Sequence, residues 1–126
     1  MLFDTEFIIA LTRRPGSASY MRARAFLQLH RPPGLYVSRV TFCEIATGFE
    51  VRTDAEAALA PFTALEIDAE VSWQASRIFR ELQGKGLHIG DNDVWIAATA
   101  LRFGLPLVSN NARHLGRVHG LDLRTY

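Results

Sequence analysis

Short apolar runs alternate with longer stretches of helical periodicity along the chain. Four runs have the length and composition of buried strands, and a weaker fifth follows them: residues 1–3, 35–38, 64–67, 106–108 and 121–123. Parallel strands need a long crossover between them, usually a helix, so this alternation is typical of a parallel sheet. The sequence therefore predicts an α/β fold with three layers, α/β/α, around a mostly parallel sheet of four to five strands.

Between these runs, apolar residues recur at intervals of three and four, which is the spacing of one helix face. One helix is expected to begin directly after Asp4. The others are predicted over residues 19–30, 40–49, 54–59, 68–83 and 92–103. Asp68 is the expected N-cap of the helix over 68–83, and Gly84 with Gly86 suits its left-handed C-cap.

The segment 92–103 is apolar nearly all round, which indicates a helix buried on several sides. Asp91 is expected at its N-cap, and Gly104 is expected to end it. Trp95 in this helix and Trp73 in the preceding one are predicted to pack in the core rather than to stack on bases. Ligands of parallel α/β sheets collect beyond the carboxyl ends of the strands, so functional residues are expected there.

The composition is that of one ordinary globular domain over residues 1–126. Hydrophobic residues make up 48% and charged residues 21%, with a net charge of +1, which excludes a disordered chain and a strongly basic molecule. Cys43 is alone, which excludes an intramolecular disulfide and a thiolate metal cage. There is no basic leader and no apolar run of about eighteen residues. A cytoplasmic protein without membrane association is expected.

Acidic and amide side chains follow the ends of the predicted strands. Asp4 follows the first strand, Glu44 lies six residues after the second, and Asp93 begins the buried helix; Ser109 and Asn111 follow the fourth strand. Converging carboxylates repel one another and raise each other's pKa unless a cation neutralises them. Oxygen donors alone favour Mg²⁺ or Mn²⁺. Such an ion would lower the pKa of an attacking water and neutralise charge on a phosphodiester.

Each of these residues also has a structural interpretation. Asp4 could cap the helix that follows it, and Glu44 could be an exposed helix residue or pair with Arg39. Asp93 could stabilise the positive end of its helix, and Asn111 could be a turn residue. The hypothesis of a site rests on the combination, because no single position distinguishes the two interpretations.

Five segments together resemble the motifs of PIN-domain nucleases, and the resemblance spans the whole chain. They are residues 1–5, 37–45, 89–100, 107–115 and 118–121. The third segment is the most specific match, and the last resembles the usual ending of VapC-type toxins. The chain thus resembles a VapC/FitB-like toxin of a bacterial type II toxin–antitoxin pair, and the PIN-like form of the α/β/α fold is expected.

The resemblance implies a Mg²⁺- or Mn²⁺-dependent endoribonuclease that binds one or two ions and cuts single-stranded RNA. It places the catalytic positions on Asp4, Glu44, Asp93 and Asn111, with the three carboxylates as metal ligands. It also implies a homodimer that a small cognate antitoxin wraps and inhibits in a hetero-oligomer. Because many relatives have Asp where Asn111 stands, a second metal position is expected to be weaker here.

Three neighbouring residues are candidates to support these ligands: Thr5 in the first motif, Glu6, and Ser109 in the fourth motif. Glu6 stands where the family commonly has Asn or Ser, and it could equally point into solvent. Ser109 takes the place of the usual Thr.

Thirteen arginines and a single lysine supply the positive charge, and a planar guanidinium suits phosphate. The candidate RNA contacts flank the loops that carry the acids: Arg13, Arg14, Arg113 and Arg117. His114 could orient a phosphate or be an ordinary half-buried histidine. Residues 7–9 and the face of 20–29 could contact an antitoxin or belong to the core.

Two other classes of function are open. A non-catalytic PIN-fold module would bind RNA or a partner protein without cutting, as the missing fourth acid suggests. A phosphatase or phosphoryl transferase with Asp4 as nucleophile is disfavoured, because the lone Lys85 follows a helix end and no lysine stands near the strand ends. Mn²⁺-dependent cleavage that is lost in Asp93→Asn would favour the nuclease.

Overall fold

A parallel sheet of five short strands lies at the centre of the computed structural model, which describes residues 1–126. The strands are β1 (Leu2–Phe3), β2 (Tyr36–Ser38), β3 (Thr63–Leu65), β4 (Leu107–Val108) and β5 (Leu123–Arg124). Their order is β3-β2-β1-β4-β5, and every neighbouring pair is parallel. The predicted sheet is confirmed, including the weak fifth strand, which begins two residues later and ends one residue later than predicted.

Seven helices connect the strands and cover the sheet. They are α1 (Thr5–Thr12), α2 (Ala18–His30), α3 (Arg39–Ala46), α4 (Arg52–Ala58), α5 (Ala69–Gly84), α6 (Asp91–Phe103) and α7 (Ala112–Leu115). None of them combines the length and the apolar character needed to cross a membrane. The sequence did not indicate α7, because four residues are too few to show a helical period.

Side-chain caps begin four of the helices. Asp4, Ser17, Ser38 and Asp68 each accept a hydrogen bond from the amide three residues further along, which satisfies a backbone donor that the helix leaves unpaired. The prediction that Asp91 caps α6 is wrong: Gly90 is the N-cap, and Asp91 is the first helical residue.

The predicted end of α6 is confirmed, and the predicted end of α5 is only partly correct. Gly104 ends α6 in the left-handed conformation, with φ 61°, as predicted. At the end of α5, Gly84 remains helical, Lys85 is the C-cap, and Gly86 alone has a positive φ, 65°. The prediction that Gly84 takes part in a left-handed cap is therefore wrong.

Two apolar cores pack on the two faces of the sheet. Leu2 belongs to the core beneath α5 and α6, and Phe3 belongs to the aromatic core beneath α1 and α2, because successive strand residues face opposite sides. Trp95 is partly buried against the first core. Trp73 is 55% exposed, so its predicted core position is wrong. It lies two residues from both Val71 and Ala75, on the opposite face of α5.

The strand order determines where the polar residues meet. β1 is central, with β2 on one side and β4 on the other. Residues that follow these three strands therefore gather at one edge of the sheet, where α1, α3 and the β4–α7 connection begin.

Candidate active site

Asp4 lies at the carboxyl end of the central strand. Its Oδ1 accepts a hydrogen bond from the Phe7 amide at 2.8 Å, so it is the helix cap that one interpretation expected, and only 6% of the residue is exposed. Burial raises the pKa of Asp4 to about 6, although the Ser109 hydroxyl and the Phe7 amide oppose the rise. The negative charges of Glu6 and Asp93 raise this pKa further.

Asp93 is the third residue of α6, and its side chain is 29% exposed. Its Oδ2 accepts a hydrogen bond from Asn111 Nδ2 at 2.9 Å and lies 3.9 Å from His114 Nδ1. Partial burial raises the pKa of Asp93, and the charge of Glu44 adds to the rise. His114 and the side-chain amide of Asn111 lower the pKa of Asp93 and so oppose this rise.

Glu44 reaches the site from α3, and both of its carboxylate oxygens are held. Oε2 accepts a short hydrogen bond from the Thr5 hydroxyl, and Oε1 accepts one from Asn92 Nδ2 at 2.8 Å. The alternative pairing of Glu44 with Arg39 does not occur, because Arg39 forms its ion pair with Glu66.

A cleft of about 220 Å³ brings these groups together at the edge of the sheet. We call it the carboxylate cleft, and its lining residues are Asp4, Thr5, Glu6, Glu44, Asp93, Ile96 and Asn111. The four residues predicted to be catalytic therefore line one cleft, although they come from four separate parts of the chain. Their catalytic roles remain predictions.

The donor atoms of the carboxylate cleft are of the type that a hard divalent cation prefers. They are all oxygen atoms, and the raised pKa values of Asp4 and Asp93 show that their negative charges are poorly compensated within the chain. No three acidic, histidine or cysteine side chains lie close enough to hold an ion between them. Glu44 is instead engaged by Thr5 and Asn92, and Asp93 is engaged by Asn111.

Two of the predicted supporting residues contact the acids. The Thr5 hydroxyl holds Glu44 and lies 3.5 Å from the buried Thr41 hydroxyl. Ser109 is fully buried beside Asp4, and its Oγ accepts a hydrogen bond from the Asn111 amide at 3.0 Å. Glu6 is exposed, as the solvent interpretation expected, but it also lines the cleft.

None of the four arginines predicted to contact RNA lines the carboxylate cleft. Arg117 donates to the His88 carbonyl at 2.8 Å, and Arg14 lines a separate surface hollow with residues 15–17. Arg113 is exposed. Arg13 lines a pocket next to the cleft.

Two residues that contribute to the site were not predicted: one holds a carboxylate from outside the cleft, and the other lines the cleft. Asn92 holds Glu44, and its position between Asp91 and Asp93 is the only sequence signal for this role. Ile96 lines the floor one helical turn after Asp93, and in the sequence it is indistinguishable from the other apolar residues of α6.

The fold and the acid-lined cleft agree with a match to the model of the PIN domain over residues 1–121. The chain therefore belongs to the PIN domain family. A protein named ribonuclease VapC1 from Rickettsia felis is 27% identical, over 99% of this chain and 95% of the relative. A ribonuclease VapC1 from Methanocaldococcus jannaschii is 35% identical, but the alignment spans only 52% of this chain and about half, 48%, of that relative.

A solved structure of DNA-bound VapBC from Salmonella typhimurium has the same fold. It superposes with a TM-score of 0.74 at 27% sequence identity, over 98% of this chain and 96% of that chain. The PIN-like architecture that the sequence predicted is confirmed.

Proposed function

We propose that this chain is a Mg²⁺- or Mn²⁺-dependent endoribonuclease that hydrolyses phosphodiester bonds of RNA, and that it is the toxin of a type II toxin–antitoxin pair. One observation carries the proposal: Asp4, Glu44 and Asp93 line one cleft, although they come from the end of β1, from α3 and from α6. Buried carboxylates with raised pKa values are costly for folding alone and are typical of functional sites.

The residues of the cleft have separable tasks in this proposal. Asp4, Glu44 and Asp93 would hold one or two ions. When bound, the metal supplies a water of lowered pKa and neutralises charge that develops on the phosphate. Thr5 fixes Glu44 through its hydroxyl, and Asn111 orients Asp93 through its amide. Because Asn111 brings no charge, a second ion would bind more weakly than the first.

The relatives support both the activity and the partner. Two of them are named ribonucleases, from Rickettsia felis and Methanocaldococcus jannaschii, and the similar solved structure is a VapBC complex bound to DNA. We infer that a cognate antitoxin protein binds this chain, that the chain forms a homodimer within a hetero-oligomer, and that it acts in the cytoplasm, where RNA is present.

The test is cleavage of a labelled single-stranded RNA by the full chain in Mn²⁺ and in EDTA. Wild-type protein should cleave in Mn²⁺ only, and Asp93→Asn should lose at least about a hundredfold in rate, because one metal ligand loses its charge. Asp91→Asn is the matched control: it removes one charge from the same helical turn, but Asp91 is exposed and lies outside the cleft. Equal losses in both variants would contradict the proposal.

A non-catalytic module is the second candidate, and one observation favours it: no three acids are close enough to hold an ion as they stand. This candidate predicts RNA or partner binding without cleavage at every Mn²⁺ concentration. Cleavage that titrates with Mn²⁺ would exclude it.

A further inference from the structure

A second pocket adjoins the carboxylate cleft. It has a volume of about 390 Å³, within the range of roughly 300–1,000 Å³ that is usual for sites of small ligands. We call it the arginine pocket, and its polar lining consists of Glu6, Arg13, Ser19, Arg22, Asn110, Asn111 and Tyr126. Glu6 and Asn111 line the carboxylate cleft as well, so the two depressions adjoin at these residues.

Two guanidinium groups in this pocket lack partners within the chain. Arg13 follows α1 and Arg22 lies on α2, and both are exposed. Most other arginines are engaged: Arg39, Arg52, Arg102 and Arg124 pair with carboxylates, Arg31 and Arg117 bind carbonyl oxygens, and Arg77 lies over Trp73. Unpaired arginines that share a pocket suit an anionic ligand with phosphate geometry.

Tyr126 is the aromatic residue in the lining of this pocket. Its ring packs against Phe7, with centroids 4.7 Å apart and an interplanar angle of 76°, and its amide donates to Asn110 Oδ1 at 2.9 Å. The Tyr126 hydroxyl keeps its proton at neutral pH, since its ordinary pKa of 10 is already well above neutral and burial raises it to about 12. That hydroxyl has no hydrogen-bond partner within the chain and is free to bind a polar ligand atom.

We propose that the arginine pocket binds the nucleotide next to the bond that is cut, with Arg13 and Arg22 on its phosphate and the Tyr126 hydroxyl on its base or ribose. The inference rests on the proposed ribonuclease function and adds Arg22, Asn110 and Tyr126 to the substrate-binding surface. Because Glu6 and Asn111 line both the arginine pocket and the carboxylate cleft, this nucleotide would lie beside the carboxylates. An RNA strand bound this way would enter between α1 and α2.

The test measures binding separately from cleavage. Fluorescence anisotropy of a labelled single-stranded RNA octamer of mixed sequence is recorded with the full chain in EDTA, between about 50 and 200 mM salt. Arg13→Ala and Arg22→Ala should each weaken binding about fivefold or more at the lowest salt. Each should also lower the slope of log affinity against log salt by about 0.7, the value for one lost phosphate contact on a single strand.

Arg24→Ala is the matched control for charge. Arg24 is exposed on α2, as Arg22 is, but lines neither the pocket nor the cleft, so affinity should stay within about twofold of wild type and the salt slope should not change. Tyr126→Phe keeps the ring on Phe7 and removes only the hydroxyl. It should weaken binding about threefold to tenfold with an unchanged salt slope, because a neutral hydrogen bond releases no counterion.

Two results would overturn the inference. If Arg24→Ala weakens binding as much as Arg13→Ala and Arg22→Ala, the attraction is diffuse rather than pocket-specific. If all of these variants bind RNA as wild type does, the pocket serves another ligand, such as an acidic segment of a protein partner. A wild-type chain that binds RNA through the pocket but cleaves none in Mn²⁺ would refute the nuclease while supporting the pocket.

Discussion

Asp4 carries a buried charge that the chain itself does not neutralise. Its pKa is about 6 in the folded protein against an ordinary value of 3.8, so the folded state binds the proton more tightly than the unfolded state. Below about pH 4 both states are protonated and Asp4 has no effect on stability. As pH rises from about 4 to 6, the ionisation of Asp4 lowers the free energy of unfolding. Above about pH 6 this destabilisation has reached its full value and stays constant.

Asp4→Asn should therefore stabilise the metal-free protein at neutral pH while it removes activity. Asparagine caps a helix as well as aspartate does, and the two-unit shift in pKa corresponds to about 1–3 kcal/mol in the free energy of unfolding. Urea unfolding in EDTA should show this gain near pH 7.5 and little difference near pH 4.

Asp68→Asn is the control for this prediction. Asp68 also caps a helix, but 38% of its side chain is exposed, and the Val71 amide together with Arg102 holds its pKa below the usual value. The same substitution there should lower stability at neutral pH. If Asp4→Asn also lowers the free energy of unfolding at neutral pH, the charge of Asp4 does not destabilise the folded protein.

Single residues differed in how well they could be predicted from the sequence. Asp4 and Asn111 follow buried strands, so their meeting at one sheet edge followed from the parallel order. Tyr126 could not be predicted, because only the pairing of β5 beside β4 and the amide contact to Asn110 bring it to the pocket. Trp73 was predicted at a core-facing position of α5, but it lies off the face formed by residues 71, 75, 78 and 82 and is exposed.

At the scale of elements, α3 is held in place by its first residues. The Ser38 hydroxyl accepts from the Thr41 amide at 2.9 Å and donates to the Thr41 hydroxyl at 3.1 Å, and both side chains are fully buried. Thr41 in turn lies against Thr5, which binds Glu44. The cap of α3 is thus linked to the orientation of Glu44.

Ser38→Ala should cost about 1–2 kcal/mol of stability, since it removes a helix cap and leaves a buried hydroxyl without one partner. It should also weaken Mn²⁺ binding, measured by calorimetry, because Glu44 is less firmly held. Ser17→Ala removes the corresponding cap from α2, which supplies none of the carboxylates. A comparable loss of stability without a change in Mn²⁺ affinity is expected there, and equal affinities for all three proteins would contradict the link.

The bounds of a helix with a clear cap and a regular apolar face were predicted well, whereas the bounds of the shorter helices were not. α5 was placed almost to the residue because Asp68 and the apolar face at 71, 75, 78 and 82 are unambiguous. α3 ends at Ala46 rather than at residue 49, and α4 begins at Arg52 rather than at residue 54. Helix ends in this region depend on tertiary packing more than on local propensity.

The whole molecule is organised around β1, whose two residues face the two cores. Phe3 is fully buried and contacts three other rings, with centroids 4.5 Å from Phe7, 5.9 Å from Phe62 and 6.4 Å from Phe26. A cluster of this kind contributes both buried area and favourable ring geometry. It supports the strand that ends at Asp4.

Phe3→Ala should lower the free energy of unfolding by about 3–5 kcal/mol, a large part of the roughly 5–15 kcal/mol available to a domain of this size. Trp73→Ala is the contrast: its ring is exposed and lies 4.2 Å from the Arg77 guanidinium, so the cost should stay near about 1 kcal/mol. Urea unfolding would measure both, and a small cost at Phe3 would contradict the account of the core.

The shortness of β1 links the assembly of the carboxylate cleft to the assembly of both cores. Leu2 belongs to one core and Phe3 to the other, and Asp4 follows Phe3 directly in the sequence. A partly folded chain has not yet brought Asp4, Glu44 and Asp93 together, because these residues follow or belong to β1, α3 and α6, which meet only when both cores are packed. The carboxylate cleft therefore exists only in the completed fold, and a partner that recognises its shape would bind completed molecules alone.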